Sequence, residues 1–384
     1  MPLNPSTWSV VERPRQQRHK LSSSIADQNH DELAQTPEPD PLPDFDFTVR
    51  PIDIYSADLV ERELCKLFIA PPDEMMSGER PTFERVGLLK RLVDPDGRGP
   101  KRTLLTGSLR LAKAFGRVAA DHPNFSPVSR VISDAIALSR RAQTPIALPP
   151  ILLVGPPGVG KTHFARALAG CFDTEYLQIA INLIDDVGEV TGHSLSWKAS
   201  RLGKIAELLI HGPTASPVVM LDEIDKPKRL QGDNPVDAFH SLLEPENARA
   251  FVDSYFGLPI RADQIIWIAT ANNLPDISPS ILDRFLIIHV PGLSPNQRAQ
   301  FIRTTAEEIT SAMFGFNPEL SDELLALIDP DLSIRQLRRA FKLAFARSAA
   351  RGLDAIDKTD LAEALAMVGA AAKSRQVGFM ARWD

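Results

Sequence analysis

The stretch ILLVGPPGVGKTHFARALAGCF, residues 151–172, decides how this chain folds and what it can bind. It begins with an apolar run of strand length, passes through a glycine-rich turn, and ends in a run with the periodicity of a helix. The turn fits the pattern G-x-x-x-x-G-K-[ST], in which glycines let backbone N–H groups face a phosphate. Because a strand and a helix flank the turn as this motif requires, we expect it to bind a nucleoside triphosphate.

The residues of this phosphate loop have separate expected roles. Glycines let the backbone curl, the Lys161 ammonium contacts the β- and γ-phosphates, and the Thr162 hydroxyl is a candidate ligand of Mg²⁺. A chance glycine-rich turn is the alternative, and the flanking strand and helix argue against it. The complete candidate loop is Gly155, Pro156, Pro157, Gly158, Val159, Gly160, Lys161 and Thr162.

Further apolar runs of strand length alternate with helical stretches after this loop. Near-continuous apolar runs are typical of strands buried on both faces of a parallel sheet. We therefore predict an α/β fold: a three-layer domain with a five-stranded parallel sheet, followed by an α-helical lid domain. The predicted strands lie at 151–155, 176–182, 218–223, 265–272 and 285–290, and the candidate lid helices at 295–313, 319–328, 333–350 and 357–368.

Polar residues end two of these strands, at the sheet edge where open parallel sheets bind ligands. Asp222 is a candidate for the Mg²⁺ shell, and Glu223 beside it is a candidate base that polarises the attacking water. Asn272 can reach that water or the γ-phosphate; its alternative role is to cap the next turn. Asp225 and Lys226, just after the carboxylate pair, are interpreted as a local ion pair.

Two arginines are candidates for further contacts with the nucleotide. Arg284 precedes the last predicted strand, where an arginine can reach the γ-phosphate bound by a neighbouring subunit. A salt bridge from Arg284 to the adjacent Asp283 is the alternative. Arg335 lies in the first turn of a predicted lid helix and can bridge the lid to the nucleotide.

The ordered motifs GPPGVGKT, LDEID, ATANN, LDRF and SIR resemble those of AAA+ ATPases, and the chain is most similar to the ATPase module of Lon proteases. More specific matches lie at 191–193, 232–255 and 269–285, and the resemblance covers roughly residues 146–350. It implies ATP and Mg²⁺ as cofactors, and a homo-oligomeric ring, a hexamer, in which a neighbour completes each site. It further implies that Asn272 is the sensor-1 residue, Arg284 the arginine finger and Arg335 the sensor-2 arginine.

The stretch HSLSWKAS, residues 193–200, places a tryptophan in a polar loop. In the resemblance it matches the first pore loop, where Lon-like ATPases have an aromatic, an aliphatic and a small residue. Trp197 falls on the aromatic position, and Lys198 departs from the aliphatic one. Trp197 can grip unfolded polypeptide by packing, or stack on bases of a single strand with Lys198 at a phosphate. A tryptophan folded back onto its own domain is the third interpretation.

Composition divides the chain into five predicted segments. Residues 1–50 are rich in proline and polar residues and are predicted to be a disordered arm. In Lon proteases a protease domain follows the lid. The sequence after the predicted lid of this chain is too short for such a domain, so we expect no peptidase activity. The remaining segments are a small helical region at 51–145, the nucleotide-binding domain at 146–292, the lid at 293–370 and a tail at 371–384.

The net charge of −6 disfavours a general nucleic-acid binder. The apolar runs fall short of the roughly 20 residues that a membrane span needs, and two cysteines outside any metal-ligand spacing suit a reducing cytoplasm. We predict an ATP-driven remodeller or unfoldase that acts on unfolded or partner proteins. The alternatives are a nucleotide-gated scaffold or regulatory ATPase that recruits a partner through its N-terminal arm, and a nucleic-acid motor.

Overall fold

A computed structural model of the chain describes residues 49–69, 80–195, 200–227, 235–311, 317, 319–329 and 332–377. Its N-terminal part consists of helices and one short antiparallel strand pair, which the sequence patterns did not predict. The elements are β1 (Ile52–Asp53), α1 (Ala57–Ile69), α2 (Arg80–Leu92), β2 (Lys101–Arg102), α3 (Leu109–Asp121) and α4 (Ser126–Ala142).

The middle of the chain alternates strands and helices. A short antiparallel hairpin, β6 and β7, interrupts this alternation between the third and fourth strands of the main sheet. In chain order the elements are β3 (Ile151–Val154), α5 (Lys161–Phe172), β4 (Tyr176–Ala180), α6 (Gly188–Thr191), α7 (Lys204–His211), β5 (Val218–Asp222), α8 (Pro245–Ala248), β6 (Phe251–Val252), β7 (Pro259–Ile260), β8 (Ile266–Ala271), α9 (Pro279–Leu282) and β9 (Leu286–His289).

Strands β3, β4, β5, β8 and β9 form one parallel sheet in the order β4-β5-β8-β3-β9. In the register, Ile151 of β3 lies between Ile268 of β8 and Leu286 of β9. The carboxyl ends of β5, β8 and β3 therefore lie side by side, and each predicted polar strand ending reaches the same edge. The predicted α/β class with a five-stranded parallel sheet is confirmed.

Both faces of this sheet are covered, which explains the near-continuous apolar strands. Residues alternate between the faces along β3, with Leu152 on one side and Leu153 on the other. Helices α1, α2 and α7 bury side chains on the first face, and α3, α4 and α5 on the second. The helices before residue 145 thus share the core of the sheet, and the predicted boundary at 145 stays a prediction.

The C-terminal part is helical and has its own apolar core. Its helices are α10 (Pro295–Thr310), α11 (Asp322–Ala326), α12 (Ile334–Ala350) and α13 (Lys358–Val377). The core is centred on Phe341 and Phe345 of α12. Ser333 caps α12 in a capping box with Gln336, so the S-x-x-Q pattern fixes where this helix begins. In the part of the chain described, no helix combines the length and apolar content needed to cross a bilayer.

Candidate nucleotide site

The phosphate loop connects β3 to α5, and glycine is required at three of its positions. A Cβ on Gly155 would lie 2.4 Å from the carbonyl oxygen of Val290, closer than any side chain allows. Gly158 and Gly160 have φ of +82° and +98°, in the left-handed region that favours glycine. Gly160 also caps α5, so the N-terminus of that helix faces the loop. The N–H groups of the first turn of a helix and the helix dipole suit this place to an anion.

The Lys161 side chain is buried at the mouth of this loop. Its Nζ donates to the carbonyl oxygens of Gly155 (2.6 Å) and Pro156 (3.1 Å) and to Oδ1 of Asn272 (3.1 Å). Burial holds the pKa of Lys161 below its usual value, and the carboxylates of Asp225, Asp222 and Glu223 offset only part of this effect. The structure thus brings the loop lysine into direct contact with Asn272, at the end of β8.

Asp222, at the end of β5, is held by residues of both neighbouring strands. Its Oδ1 accepts the Thr270 hydroxyl of β8 at 2.6 Å, and its Oδ2 accepts the Gln178 amide of β4 at 2.8 Å. These bonds fix the carboxylate at the edge of the sheet where the phosphate loop follows β3. Sequence reasoning missed Gln178, because only the pairing of β4 with β5 reveals it.

The backbone of Glu223 adopts an unusual conformation. Its φ is +55°, which costs a non-glycine residue about 1–3 kcal/mol and is frequent at functional sites. The Glu223 N–H donates to the Thr270 hydroxyl oxygen at 3.0 Å. Its carboxylate accepts from the Asn182 amide and from Lys226 Nζ, each at 3.1 Å. Asn182 follows β4 and was also missed by sequence reasoning.

The predicted ion pair between Asp225 and Lys226 is wrong. Lys226 instead pairs with Glu223, three residues before it. Asp225 is buried, and its Oδ2 accepts the N–H groups of Asn272 (3.0 Å) and Asn273 (3.2 Å). The turn after β5 points Asp225 inward, so this carboxylate fixes the backbone of the residue that contacts Lys161.

The donor set at this edge fits magnesium. The residues described contain no group of three or more His, Cys, Asp or Glu side chains able to hold a metal ion. Mg²⁺ is commonly bound by one or two carboxylates together with waters and the substrate's phosphates, so such a group is not needed. The Thr162 hydroxyl and the Asp222 carboxylate are oxygen donors of the kind that Mg²⁺ prefers, and they would hold it here.

Arg284 lies between α9 and β9 and already has several acceptors in its own chain. Its Nη2 lies 2.5 Å from Glu244 Oε1, Nε donates to the His240 carbonyl at 3.3 Å, and Nη1 donates to the Ser280 carbonyl. The alternative of a salt bridge to Asp283 is therefore replaced by a contact with Glu244. Nothing in this arrangement places Arg284 at the phosphate loop of its own chain.

The lid helix α12 begins beside the phosphate loop. A Cβ on Gly158 would lie 3.8 Å from the Ser333 Cβ, so the cap of α12 adjoins the loop. Arg335 is exposed two residues further on. On the other side, the Asn124 amide donates to the carbonyls of Val159 (3.3 Å) and Pro291 (3.4 Å). This amide, unnoticed in the sequence, joins the loop to the segment that leads into the lid.

Trp197 and Lys198, predicted to contact the substrate, lie outside the described residues. The described residues nearest to them are 195 and 200, between α6 and α7. Their predicted role as a pore loop stays a prediction.

We expect Lys161→Ala to weaken ATP binding at least about 100-fold, since hydrogen bonds to charged groups contribute about 1.5–3 kcal/mol each. Titration with a fluorescent ATP analogue, followed by competition with ATP, measures the change. Lys113→Ala, which removes an exposed lysine of α3, is the matched control and should bind like the wild type. An affinity of Lys161→Ala within twofold of wild type would contradict the assignment of the loop.

The part of the chain that contains the phosphate loop matches a known protein family. Residues 151–292 match the family described as "ATPase family associated with various cellular activities (AAA)". The matched range runs from the first residue of β3 to just beyond β9 and contains the phosphate loop, Asp222, Glu223, Asn272 and Arg284.

Curated relatives include Lon proteases. Lon protease homolog 2, peroxisomal, of Spinacia oleracea is 30% identical over 250 residues, which cover 63% of this chain and 28% of that protein. Lon protease of Dictyoglomus thermophilum is 35% identical over 192 residues, covering 50% of this chain and 24% of that protein. The predicted resemblance to the ATPase module of Lon proteases is confirmed, and the chain spans about a quarter of the length of these relatives.

Among solved structures, a RuvB mutant of Thermotoga maritima matches with a TM-score of 0.43 and 17% identity. The match covers 63% of this chain and 69% of that one.

Proposed function

Starting from residues 151–292 as an AAA ATPase domain similar to that of Lon proteases, we propose that the chain is an ATP-driven motor that remodels or unfolds proteins. The contact between Lys161 and Asn272, beside Asp222 and Glu223, carries the proposal. In this proposal, Lys161 binds phosphate and Asn272 senses it. Asp222, the magnesium ligand, and Glu223, the base, lie at the same edge of the sheet.

Each residue then has a defined task in hydrolysis. The loop N–H groups and Lys161 bind the phosphates of ATP, and Mg²⁺, held by Thr162 and Asp222, would neutralise charge on them. Glu223 orients the attacking water and accepts its proton. Asn182 donates to Oε2 and Lys226 to Oε1 of Glu223, so each carboxylate oxygen keeps a second lone pair that can accept the proton of the water.

The proposed assembly is a homo-oligomeric ring, a hexamer, in which Arg284 completes the site of a neighbouring subunit. The contacts of Arg284 with Glu244 and two carbonyls, away from its own phosphate loop, support an action in trans. Arg335, on the lid helix whose cap adjoins Gly158, is the proposed sensor-2 residue. The lid would thus respond to the nucleotide through α12.

The proposed substrate is unfolded polypeptide, contacted by Trp197 and Lys198, and the proposed chemistry is ATP hydrolysis without peptide cleavage. A cytoplasmic location also stays a prediction, since relatives of this chain include a peroxisomal Lon protease homolog of Spinacia oleracea and a mitochondrial one of Oryza sativa. The experiment that follows separates the motor from the scaffold and the nucleic-acid motor.

We expect a permanently unfolded polypeptide, such as reduced and carboxymethylated lactalbumin, to raise the ATPase rate several-fold in the wild type. Trp197→Ala should remove most of this stimulation, because a large aromatic supplies most of the packing in such a contact. Leu183→Ala, at an exposed apolar residue outside this loop, is the matched control and should be stimulated like the wild type.

Absence of stimulation by polypeptide would contradict the remodelling proposal. Stimulation by single-stranded DNA at moderate salt would instead favour the nucleic-acid motor. ATP-dependent capture of a partner that is lost when residues 1–50 are deleted, with no effect of Trp197→Ala, would favour the scaffold.

A further inference from the structure

The two described ends of the predicted pore loop run side by side. The His193 N–H donates to the Arg201 carbonyl at 3.1 Å. A Cβ on Gly203 would lie 2.3 Å from the Val190 carbonyl oxygen and 2.4 Å from the Gly192 nitrogen, so only glycine permits this approach. Residues 190–193 and 201–203, which flank the predicted pore loop and are called its base below, are therefore in close contact.

A buried carboxylate from a distant part of the chain holds this base. Asp253 follows β6 and is fully buried, at 0% exposure. Its Oδ2 accepts the Gly203 N–H at 2.8 Å, and its Oδ1 would lie 2.3 Å from a Cβ on Gly192. The neighbouring Ser254 N–H donates to the Thr191 carbonyl at 2.8 Å. Asp253 thus abuts one end of the loop and binds the other.

The same carboxylate also organises its own turn. Oδ1 of Asp253 accepts the N–H groups of Tyr255 and Phe256, each at 2.9 Å. Burial holds the pKa of Asp253 above its usual value, and the N–H donors of Phe256, Gly203 and Tyr255 offset part of this effect. A carboxylate buried among apolar residues is unfavourable without such donors, so these bonds are what keep Asp253 in this position.

The turn at 253–256 is in turn fixed by the N-terminal helices. Arg85 of α2 is buried and donates to the Phe256 carbonyl through Nε (3.2 Å) and Nη2 (2.9 Å). Nη2 also contacts Glu63 of α1 at 3.0 Å. A chain of direct contacts therefore runs from α1 and α2 through residues 253–256 to both ends of the loop.

We propose that Asp253 is the positioning residue of the substrate-contacting loop, and that Arg85 makes helices α1 and α2 part of its support. The proposal rests on the proposed function, in which the loop contacts polypeptide. The N-terminal helices then contribute to the position of the loop, because Arg85 of α2 holds the turn that binds the base of the loop.

Hydrogen–deuterium exchange of the full chain tests this positioning without any substrate. In Asp253→Asn the side chain keeps its size, but an amide nitrogen replaces one acceptor oxygen. We expect amides in peptides covering residues 190–195 and 200–206 to exchange at least about 10-fold faster, as local opening becomes easier. Asp263→Asn is the matched control: this carboxylate is also buried, at 2% side-chain exposure, but contacts Arg261 and not the loop. Wild-type exchange in Asp253→Asn would overturn the proposal.

Arg85→Ala provides a second variant that leaves Asp253 in place. It should raise exchange in the same peptides, and the increase over wild type in Arg85→Ala/Asp253→Asn should be smaller than the product of the two single increases, since the residues act through one turn. Wild-type exchange in Arg85→Ala would overturn the link to α1 and α2. The same variants should lower the ratio of polypeptide-stimulated to basal ATPase rate at least about threefold.

The outcomes for the two proposals remain distinguishable. A wild-type protein that polypeptide does not stimulate would contradict the remodelling function, while the exchange data would still decide whether Asp253 positions the loop. Faster exchange in Asp253→Asn with an unchanged stimulation ratio would overturn the functional part of the inference.

Discussion

Replacing Arg284 by alanine is expected to lower ATP turnover about 10³-fold or more, while ATP affinity stays near the wild-type value. An arginine that completes the site from a neighbouring subunit stabilises charge that develops in the transition state rather than in the bound ATP. Steady-state turnover and binding of a fluorescent ATP analogue measure the two effects separately. Arg249→Ala removes an exposed arginine near Asp263 and is the matched control.

The contacts of Arg284 explain why this effect should require assembly. Before the guanidinium can reach a phosphate in another subunit, it must exchange at least one of its bonds to Glu244, His240 and Ser280. Two of these acceptors are neutral carbonyls, which hold the guanidinium less strongly than a phosphate does. The Glu244 carboxylate is able to keep its own contact and orient the planar group.

Mixing two inactive variants tests whether Arg284 acts in trans. In equal mixtures of Arg284→Ala and Lys161→Ala, about a quarter of randomly formed interfaces pair an intact phosphate loop with an intact Arg284. Activity should therefore return on mixing, although each variant alone is inactive. Absence of recovery in rings shown to exchange subunits would contradict the trans assignment, as would wild-type turnover of Arg284→Ala alone.

Replacing Glu223 by glutamine is expected to lower turnover about 10²–10⁴-fold while preserving ATP binding. Glutamine keeps the shape of the side chain and an acceptor for the Asn182 amide, but it cannot take a proton from water. The variant should therefore retain ATP. Single-turnover hydrolysis and nucleotide retention on a desalting column measure both properties.

Glu246→Gln is the matched control, because this carboxylate is exposed on α8. Wild-type turnover in Glu223→Gln would remove the assigned base. The retained ATP also makes Glu223→Gln a useful bait, since a pull-down in ATP should enrich proteins that bind the nucleotide-bound form of the chain.

The fold and the chemical centre could be predicted because their signals are local in the sequence. Each buried strand is a short apolar run, and the phosphate loop, Asp222, Glu223 and Asn272 each follow such a run directly. The order of strands in a parallel sheet brings these endings together whatever the intervening sequence. Periodicity and one motif were sufficient for this part.

The supporting residues could not be predicted, because their partners are far apart in the chain. Gln178 and Asn182 reach the carboxylate pair only because β4 pairs with β5, which periodicity does not reveal. Arg85 meets the Phe256 carbonyl across 171 positions of sequence. For Lys226 the local pattern was misleading. The adjacent Asp225 suggested an ion pair, but the turn directs Asp225 inward and Lys226 pairs with Glu223.

The order β4-β5-β8-β3-β9 has a consequence for folding during synthesis on the ribosome. Strand β3, which leads into the phosphate loop, pairs with β8 and β9, whose residues are synthesised more than a hundred positions later. At about 5–20 residues per second, β3 waits on the order of ten seconds for its partners. Its apolar side chains lack these partners during that interval, and the ATP site is completed only after β8 and β9 have been synthesised. A motor proposed to act on unfolded chains thus itself passes through a stage in which an apolar strand of its central sheet is unpaired.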